Sequence, residues 1–326
     1  MRFLRYFMIS ALVVASSTFV SCHHGGDDDE TKEYLNGTLS INVPKYLQCG
    51  DVVHIEPTGV YRNDESDTML CCSWTNPFTN KTDTIRLESD PAAKGKDFDF
   101  EVSADSLSTF TIIVSVWADG YYTKTTSATF TVVDPTLGTG SLKGYDFLGA
   151  VSKMTDERDG SEYYYCNAAG KDWLIQNLAW NGSGISYVDA EALDHIFGRF
   201  YTWDEAVSAC PAGWHLPSSA DFTAIAGEEG AGNLMVNASF NGTTMWEFWP
   251  AVKITNGSRF SAIPVGYVSV EGDGKSFIGM NSYALFWTSD SSEKMAVARY
   301  IYVDKPVLYA GEFDKAGICA SVRCVR

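Results

Sequence analysis

R199-F-Y-T-W-D-E-A-V-S-A-C-P-A-G-W-H-L-P-S-S219 is the stretch whose reading decides the fold. Thr202 with Glu205 three residues on has the S/T-x-x-E form of a capping box, in which hydroxyl and carboxylate satisfy orphan backbone N–H groups at a helix start. A short helix from there places Trp203, Ala206, Val207 and Cys210 on an inward face. Pro211 and Gly213 stop it, and Trp214 and Leu216 supply bulky apolar anchors. Ser218, with Asp221 at the matching position, opens a second helix. Helices, Cys-Pro turn and Trp anchor follow in close succession. That specifies a scaffold and shows no catalytic constellation.

Four further pieces stand around this stretch in order: D156-E-R-D-G-S-E-Y163, W173-L-I-Q-N-L178, F286-W-T-S289 and S321-V-R-C-V325. Together with C210-P-A-G-W-H-L-P217 they resemble the Fibrobacter succinogenes major paralogous domain, a family of surface proteins in Bacteroidota. The resemblance implies an α+β, C-type-lectin-like domain over residues 145–326, with its binding surface on long loops and no established activity. It also implies a core bridge, Cys210–Cys324, between the end of the first helix and the last strand. Cys166 and Cys319 are the second candidate pair. Period-two alternation sends Cys319 and Cys324 to opposite faces, which makes them a poor metal pair.

Upstream, residues 35–134 carry apolar alternation at T38–V43, D51–I55, M69–W74, T84–L87, F98–V102, F110–W117 and A128–V133. Seven short strands separated by Gly, Asn, Asp and Pro predict an all-β immunoglobulin-like sandwich, with Trp74 as its buried tryptophan. The W117-A-D-G-Y-Y122 segment resembles polycystic-kidney-disease-like repeats of bacterial surface proteins. Alternation puts Leu70, Cys72 and Trp74 on one face, so Cys49–Cys72 is the expected bridge. D67-T-M69, D83-T-I85 and D105-S-L107 resemble an O-glycosylation tripeptide of Bacteroidota, which would place sugars on Thr68, Thr84 and Ser106. The Gly- and Pro-rich residues 135–144 are a linker.

The N-terminus reads as a targeting segment. Arg2 and Arg5 precede the apolar run Phe7–Val14, which is too short to span a bilayer. F19-V-S-C22 resembles a lipobox, with Phe19 where Leu is usual, so residues 1–21 form a signal peptide and Cys22 carries lipid. The acidic tether 22–34, with D27-D-D-E30, resembles a surface-export signal. The expected location is the outer membrane, facing outward, with the lipid as the sole membrane contact. Removing Arg2 and Arg5 takes the formal charge from −17 to −19. Such an acidic surface repels phosphate backbones and excludes nucleic acid as a natural partner. Eight cysteines in an exported chain favour disulfides, and setting Cys22 aside leaves an odd seven.

Chemistry is thin. His23 and His24 lie in the tether, and His54 and His215 read as structural hydrogen-bonding groups. Asp194-His195 has no Ser or Cys motif beside it, and G-x-S-x-G and H-E-x-x-H are absent. W287-T-S-D290 lacks the Asn-Asp pair of calcium-dependent lectins. No cofactor is expected; calcium on Glu271, Asp273 and Asp290 is the lesser reading beside a solvated acidic loop. Aromatic residues are the better clue. Trp246, Trp249, Tyr267 and Tyr283 in loops 228–290 are the ligand-binding candidates, for a glycan or a surface or host protein. Trp173, Trp203, Trp214 and Trp287 are expected inside, and Trp180, Trp246 and Trp249 partly exposed. The expected function is a non-catalytic binding or adhesion module. A structural subunit of a surface assembly and an enzyme related to formylglycine-generating oxidases, which need a reactive cysteine pair, are the alternatives.

Overall fold

The computed structural model describes residues 32–62, 70–87, 99–103, 107–145, 151–227, 230–246, 253–305 and 307–326. Cys22, Thr68, Ser106 and Trp249 lie outside these residues. Among the described residues no helix is long and apolar enough to cross a membrane.

Residues 33–133 form a β-sandwich. Its larger sheet runs in the order Tyr46–Gln48, Lys124–Val133, Thr109–Trp117, Leu70–Thr75, Thr82–Leu87. The first pair is parallel and the others antiparallel. Val52–His54 with Asp99–Glu101, and Asn36–Ser40 with Thr58–Tyr61, make the smaller pairs. Alternation decides which side chains are inside: Ile112, Val114 and Val116 are fully buried, whereas Ile113 is 51% exposed. Trp74 is buried against Phe100, with ring centroids 5.7 Å apart.

The sandwich corrects one expectation. Cys72 faces the core as its alternation requires, but Cys49 is exposed in the turn after Tyr46–Gln48, so the Cys49–Cys72 bridge is not formed. Burial pushes the Cys72 thiol up to about 12. Thr84 lies in the edge strand Thr82–Leu87. The Gly-rich residues after 134 fold into a tight turn. Asp134 accepts through its main-chain oxygen from Ser141 N–H at 2.9 Å and through Oδ1 from Thr136 N–H at 2.8 Å. Leu142 is already buried in the core of the second unit.

The second unit packs small sheets around two helices. Both capping boxes form. Thr202 and Glu205 cap Trp203–Ala209, and Ser218 and Asp221 cap Ser219–Ala226. Asp221 also takes an ion pair from Lys171 at 2.7 Å. On the first helix Ala206 and Ala209 are buried, Trp203 is half-buried, and Val207, expected inward, is 50% exposed. The helix is too short to bury a wide stripe.

The motifs converge on the terminal segment. Leu174 and Leu178 donate backbone N–H groups to Cys324 and Val322 carbonyls at 3.0 and 2.9 Å. His215 and Val325 exchange two bonds of 2.9 Å, and Ser321 bridges to Phe286. Residues 320–326 therefore run as a spine between the other motifs. Cys210–Cys324 ties the first helix to it, with Cα atoms 5.7 Å apart. Closing a 114-residue separation contributes about 4–5 kcal/mol in the chain-entropy account. Cys166 and Cys319 remain separate buried thiols, contrary to the expected pair. Cys166 donates to Ser258 O at 3.5 Å, while Cys319 sits opposite Val268 in another sheet.

Candidate functional site

Trp246, expected as a partly exposed ligand contact, is 2% exposed and donates its indole N–H to Ala262 O at 3.3 Å. A large ring inside an aromatic core has its one polar atom satisfied there. Trp173, Trp214 and Trp287 are buried and Trp180 half-buried, as expected. The tryptophans are thus mostly frame.

Tyr267 and Tyr283 behave differently. Both are half-buried, and their rings meet edge to face at 6.1 Å. They stand on strands Tyr267–Glu271 and Tyr283–Ser291 rather than on loops. The second of these strands pairs with Met295–Tyr302, which pairs with Leu308–Asp314. Register sets Tyr283 against Tyr302 and Tyr300 against Tyr309. Cross-strand neighbours on one face are close enough for rings to touch. Tyr283 and Tyr302 stack at 4.4 Å, Tyr300 and Tyr309 at 5.1 Å, and Phe313 meets Tyr300 edge-on at 6.3 Å. All six rings are partly exposed.

Two glycines make room for them. Gly279 has φ +79°, and a Cβ there would lie 2.6 Å from the Tyr283 ring. A Cβ at Gly311 would come within 2.9 Å of the Phe313 ring. Burial, then the neighbouring Tyr302, raises the Tyr283 hydroxyl, so it stays protonated and able to donate. Tyr309 Oη hydrogen-bonds the Asp304 carboxylate at 3.1 Å, fixing one ring at the sheet edge. The platform therefore offers flat apolar faces rimmed by hydroxyls and a carboxylate. Tyr300, Tyr302, Tyr309 and Phe313 were missed in the sequence. Their signal was the even spacing of the rings, i, i+2 in R299-Y-I-Y302 and i, i+4 in Y309-A-G-E-F313.

The calcium candidates do not assemble. Asp290 accepts from Ser219 N–H at 2.6 Å, at the start of the second helix, while Glu271 and Asp273 stand exposed at the turn between Tyr267–Glu271 and Gly274–Ile278. Among the described residues no group of three His, Cys, Asp or Glu side chains could hold a metal ion. Burial raises the Cys166 thiol and pushes Cys319 up to about 11. Neither is primed as a thiolate nucleophile.

The S321-V-R-C-V325 motif contained a further residue whose role was not legible. Arg323 is fully buried. Its Nε donates to Asn177 Oδ1 at 2.7 Å, and its terminal nitrogens donate to the carbonyls of Leu174, Ile175, Phe260 and Ser261. Its guanidinium lies 4.5 Å from the Phe260 ring centroid. Burial pulls its pKa down to about 10, which leaves it charged at neutral pH. Two loops and the terminal spine are pinned by one planar fork.

These features define a scaffold domain closed by its own last strand and presenting an aromatic surface. The family model of the Fibrobacter succinogenes major domain matches residues 153–326, more than half of the chain, and the protein belongs to that family. No curated protein matches the chain.

Proposed function

We propose that the protein is a lipid-anchored, surface-exposed binding module that holds a glycan on the tyrosine platform of its second unit. The observation that carries this reading is a set of six partly exposed rings, five of them on one sheet, with four of those in two stacked tyrosine pairs, and Tyr267 joining from a neighbouring strand. Stacked rings that carry hydroxyls suit sugars, which present C–H faces and hydroxyl rims together. A protein ligand using the same rings is the second occupant. Binding rather than catalysis is favoured by the buried, raised thiols of Cys166 and Cys319.

In this reading Cys22 carries the lipid and residues 22–34 are the tether. The sandwich, an immunoglobulin-like or polycystic-kidney-disease-like unit, holds the lectin-like domain away from the outer membrane. The parallel pairing of Tyr46–Gln48 with the last sandwich strand supports the immunoglobulin-like assignment. The capped helices and the Cys210–Cys324 bridge support the lectin-like one.

The test is a glycan and surface-protein binding screen of the full chain, run with calcium and with chelator. Tyr302→Ala and Tyr309→Ala should each weaken the best ligand about tenfold, a loss of about 1.4 kcal/mol, while leaving the melting midpoint near that of the parent. Ligand binding that both variants retain in full would remove the platform as the site. Binding abolished by chelator would move it to the acidic residues.

A further inference from the structure

The sandwich carries an aromatic surface of its own. Tyr34 of Glu33–Tyr34 and Tyr122 of Tyr121–Tyr122 are register partners in a parallel pair, and their rings stack at 4.8 Å. Lys124, two residues after Tyr122, donates to Gly37 O. A Cβ at Gly37 would lie 3.2 Å from the Tyr61 ring, so the third ring continues the same patch. Tyr34, Tyr61 and Tyr122 are 72%, 60% and 46% exposed, and Tyr34 is the most exposed large apolar side chain among the described residues. Rings gathered in water at one place mark a contact surface. The chain is strongly acidic, yet this patch is not. Its segments, residues 32–37, 58–62 and 118–124, hold Lys32, Arg62 and Lys124 against Glu33 and Asp119.

The place of the patch in the fold says what covers it. Strand Lys124–Val133 starts beside Tyr122 and ends at Val133, which is buried in a core of the second unit. Ten residues of strand set these two ends about 30 Å apart. The contact between the units lies at the far end, where Tyr46 pairs with Thr131 and its ring meets that of Phe240 at 6.2 Å. The tyrosine end is therefore the end of the sandwich remote from the second unit. It is also the end from which the chain leaves toward Cys22. Cys22 and Tyr34 are twelve positions apart, a reach of at most about 40 Å.

We propose that the tyrosine end of the sandwich lies against the lipid surface that holds the Cys22 anchor, with Tyr34, Tyr61 and Tyr122 at the level of the headgroups. The proposal rests on the lipid-anchored function proposed above. Tyrosine suits that boundary because its ring is apolar while its hydroxyl stays wet. Lys32 and Lys124 bring positive charge to headgroup phosphates from the ends of apolar stems. Three rings hold a bilayer weakly by themselves. A short tether makes their encounter with it intramolecular, at a high effective concentration, so weak contacts suffice. The sandwich then stands on its tyrosine end, and strand Lys124–Val133 runs away from the membrane and carries the second unit outward.

The experiment is lactoperoxidase-catalysed iodination of the full mature chain, extracted from membranes and added to preformed vesicles of phosphatidylethanolamine and phosphatidylglycerol. Each tyrosine is read by peptide mass, and the same chain made from His23 onward, in buffer, is the reference. Iodination of Tyr34 and Tyr122 should fall at least fivefold on the vesicles, while Tyr302 on the platform changes less than twofold. Tyr34→Ser combined with Tyr122→Ser should raise iodination of Tyr61 on the vesicles at least threefold. Both side chains are exposed, so the melting midpoint should not move. A Cys22 peptide that carries lipid, with Tyr34 and Tyr122 labelled as in buffer, overturns the docking and leaves the anchor standing. A Cys22 peptide without lipid overturns the anchor and, with it, the docking. Equal protection of Tyr302 would mark crowding at the vesicle surface and overturns the proposal as well. Protection in buffer that grows with protein concentration would make the occupant a second copy of the chain and overturn the membrane assignment.

Discussion

Arg323 shows how a single side chain can organise a loop-rich domain. Leu174, Ile175, Phe260 and Ser261 each direct a carbonyl at it, and Asn177 adds its side-chain oxygen. Ser261 O keeps a donor in Tyr145 Oη at 2.9 Å, but removing the fork takes the Arg323 donors from the other buried acceptors, and each orphaned group costs about 1–3 kcal/mol. Arg323→Met, close in volume and unable to donate, should therefore destabilise by more than about 4 kcal/mol in urea unfolding. Arg323→Lys keeps the charge with three donors instead of five and should fall between the two. A Met variant within about 1 kcal/mol of the parent would mean that water or a shifted loop satisfies the carbonyls. The free cysteines give a second check at this scale. Cys49 is exposed, while Cys72, Cys166 and Cys319 are buried and burial raises all three thiols. Iodoacetamide should modify Cys49 in the native protein and these three only after denaturation. Rapid native labelling of Cys319 would contradict its burial.

Among the elements, the helices were the most legible, because a cap is a local device. Thr202 with Glu205 and Ser218 with Asp221 need only three-residue spacing to form, and both did. Ser218→Ala removes an acceptor for Asp221 N–H and loosens a carboxylate that Lys171 also holds. Its expected cost is about 1 kcal/mol, read as a lower urea midpoint with unchanged slope. No measurable shift would mean that the helix is held by its buried face, Phe222 and Ile225, alone. The sandwich strands were legible for a similar reason, since alternation at Ile112 to Val116 states which side is inside. What was not legible depended on register between distant strands. Tyr283 meets Tyr302 through a cross-strand pairing that no local pattern specifies, so Tyr283 was assigned to a loop instead of a sheet. Trp246 was assigned to the surface because loop composition says nothing about which loop folds over the core. The expected Cys49–Cys72 and Cys166–Cys319 bridges failed likewise. Parity along a strand fixes a face but not the distance to a partner.

At the scale of the whole molecule, two cores with different dependence on the chain end stand side by side. Among the described residues the sandwich core runs from Leu35 to Val132 and contains nothing from beyond that residue. Every core cluster of the second unit draws on residues after 317, with Cys319, Cys324 and Val325 in three separate clusters. Removing residues 321–326 would take away Arg323, the Cys324 half of the bridge, and the backbone partners of Leu174, Leu178 and His215. The loop-closure contribution of the bridge alone, about 4–5 kcal/mol, is comparable to the whole stability of many domains. The truncated chain should therefore lose the near-ultraviolet signal of the buried Trp173, Trp214 and Trp287. It should keep a cooperative β-sheet transition from the sandwich, whose hydrogen bonds and aromatic contacts about Trp74 are untouched. Limited proteolysis would leave a fragment that includes residues 33–133 and degrade the remainder. A truncated chain that melts like the parent would show that the terminal spine is an addition to the domain and not its centre. Loss of both transitions together would show that the contact between Tyr46 and Phe240 couples the two cores.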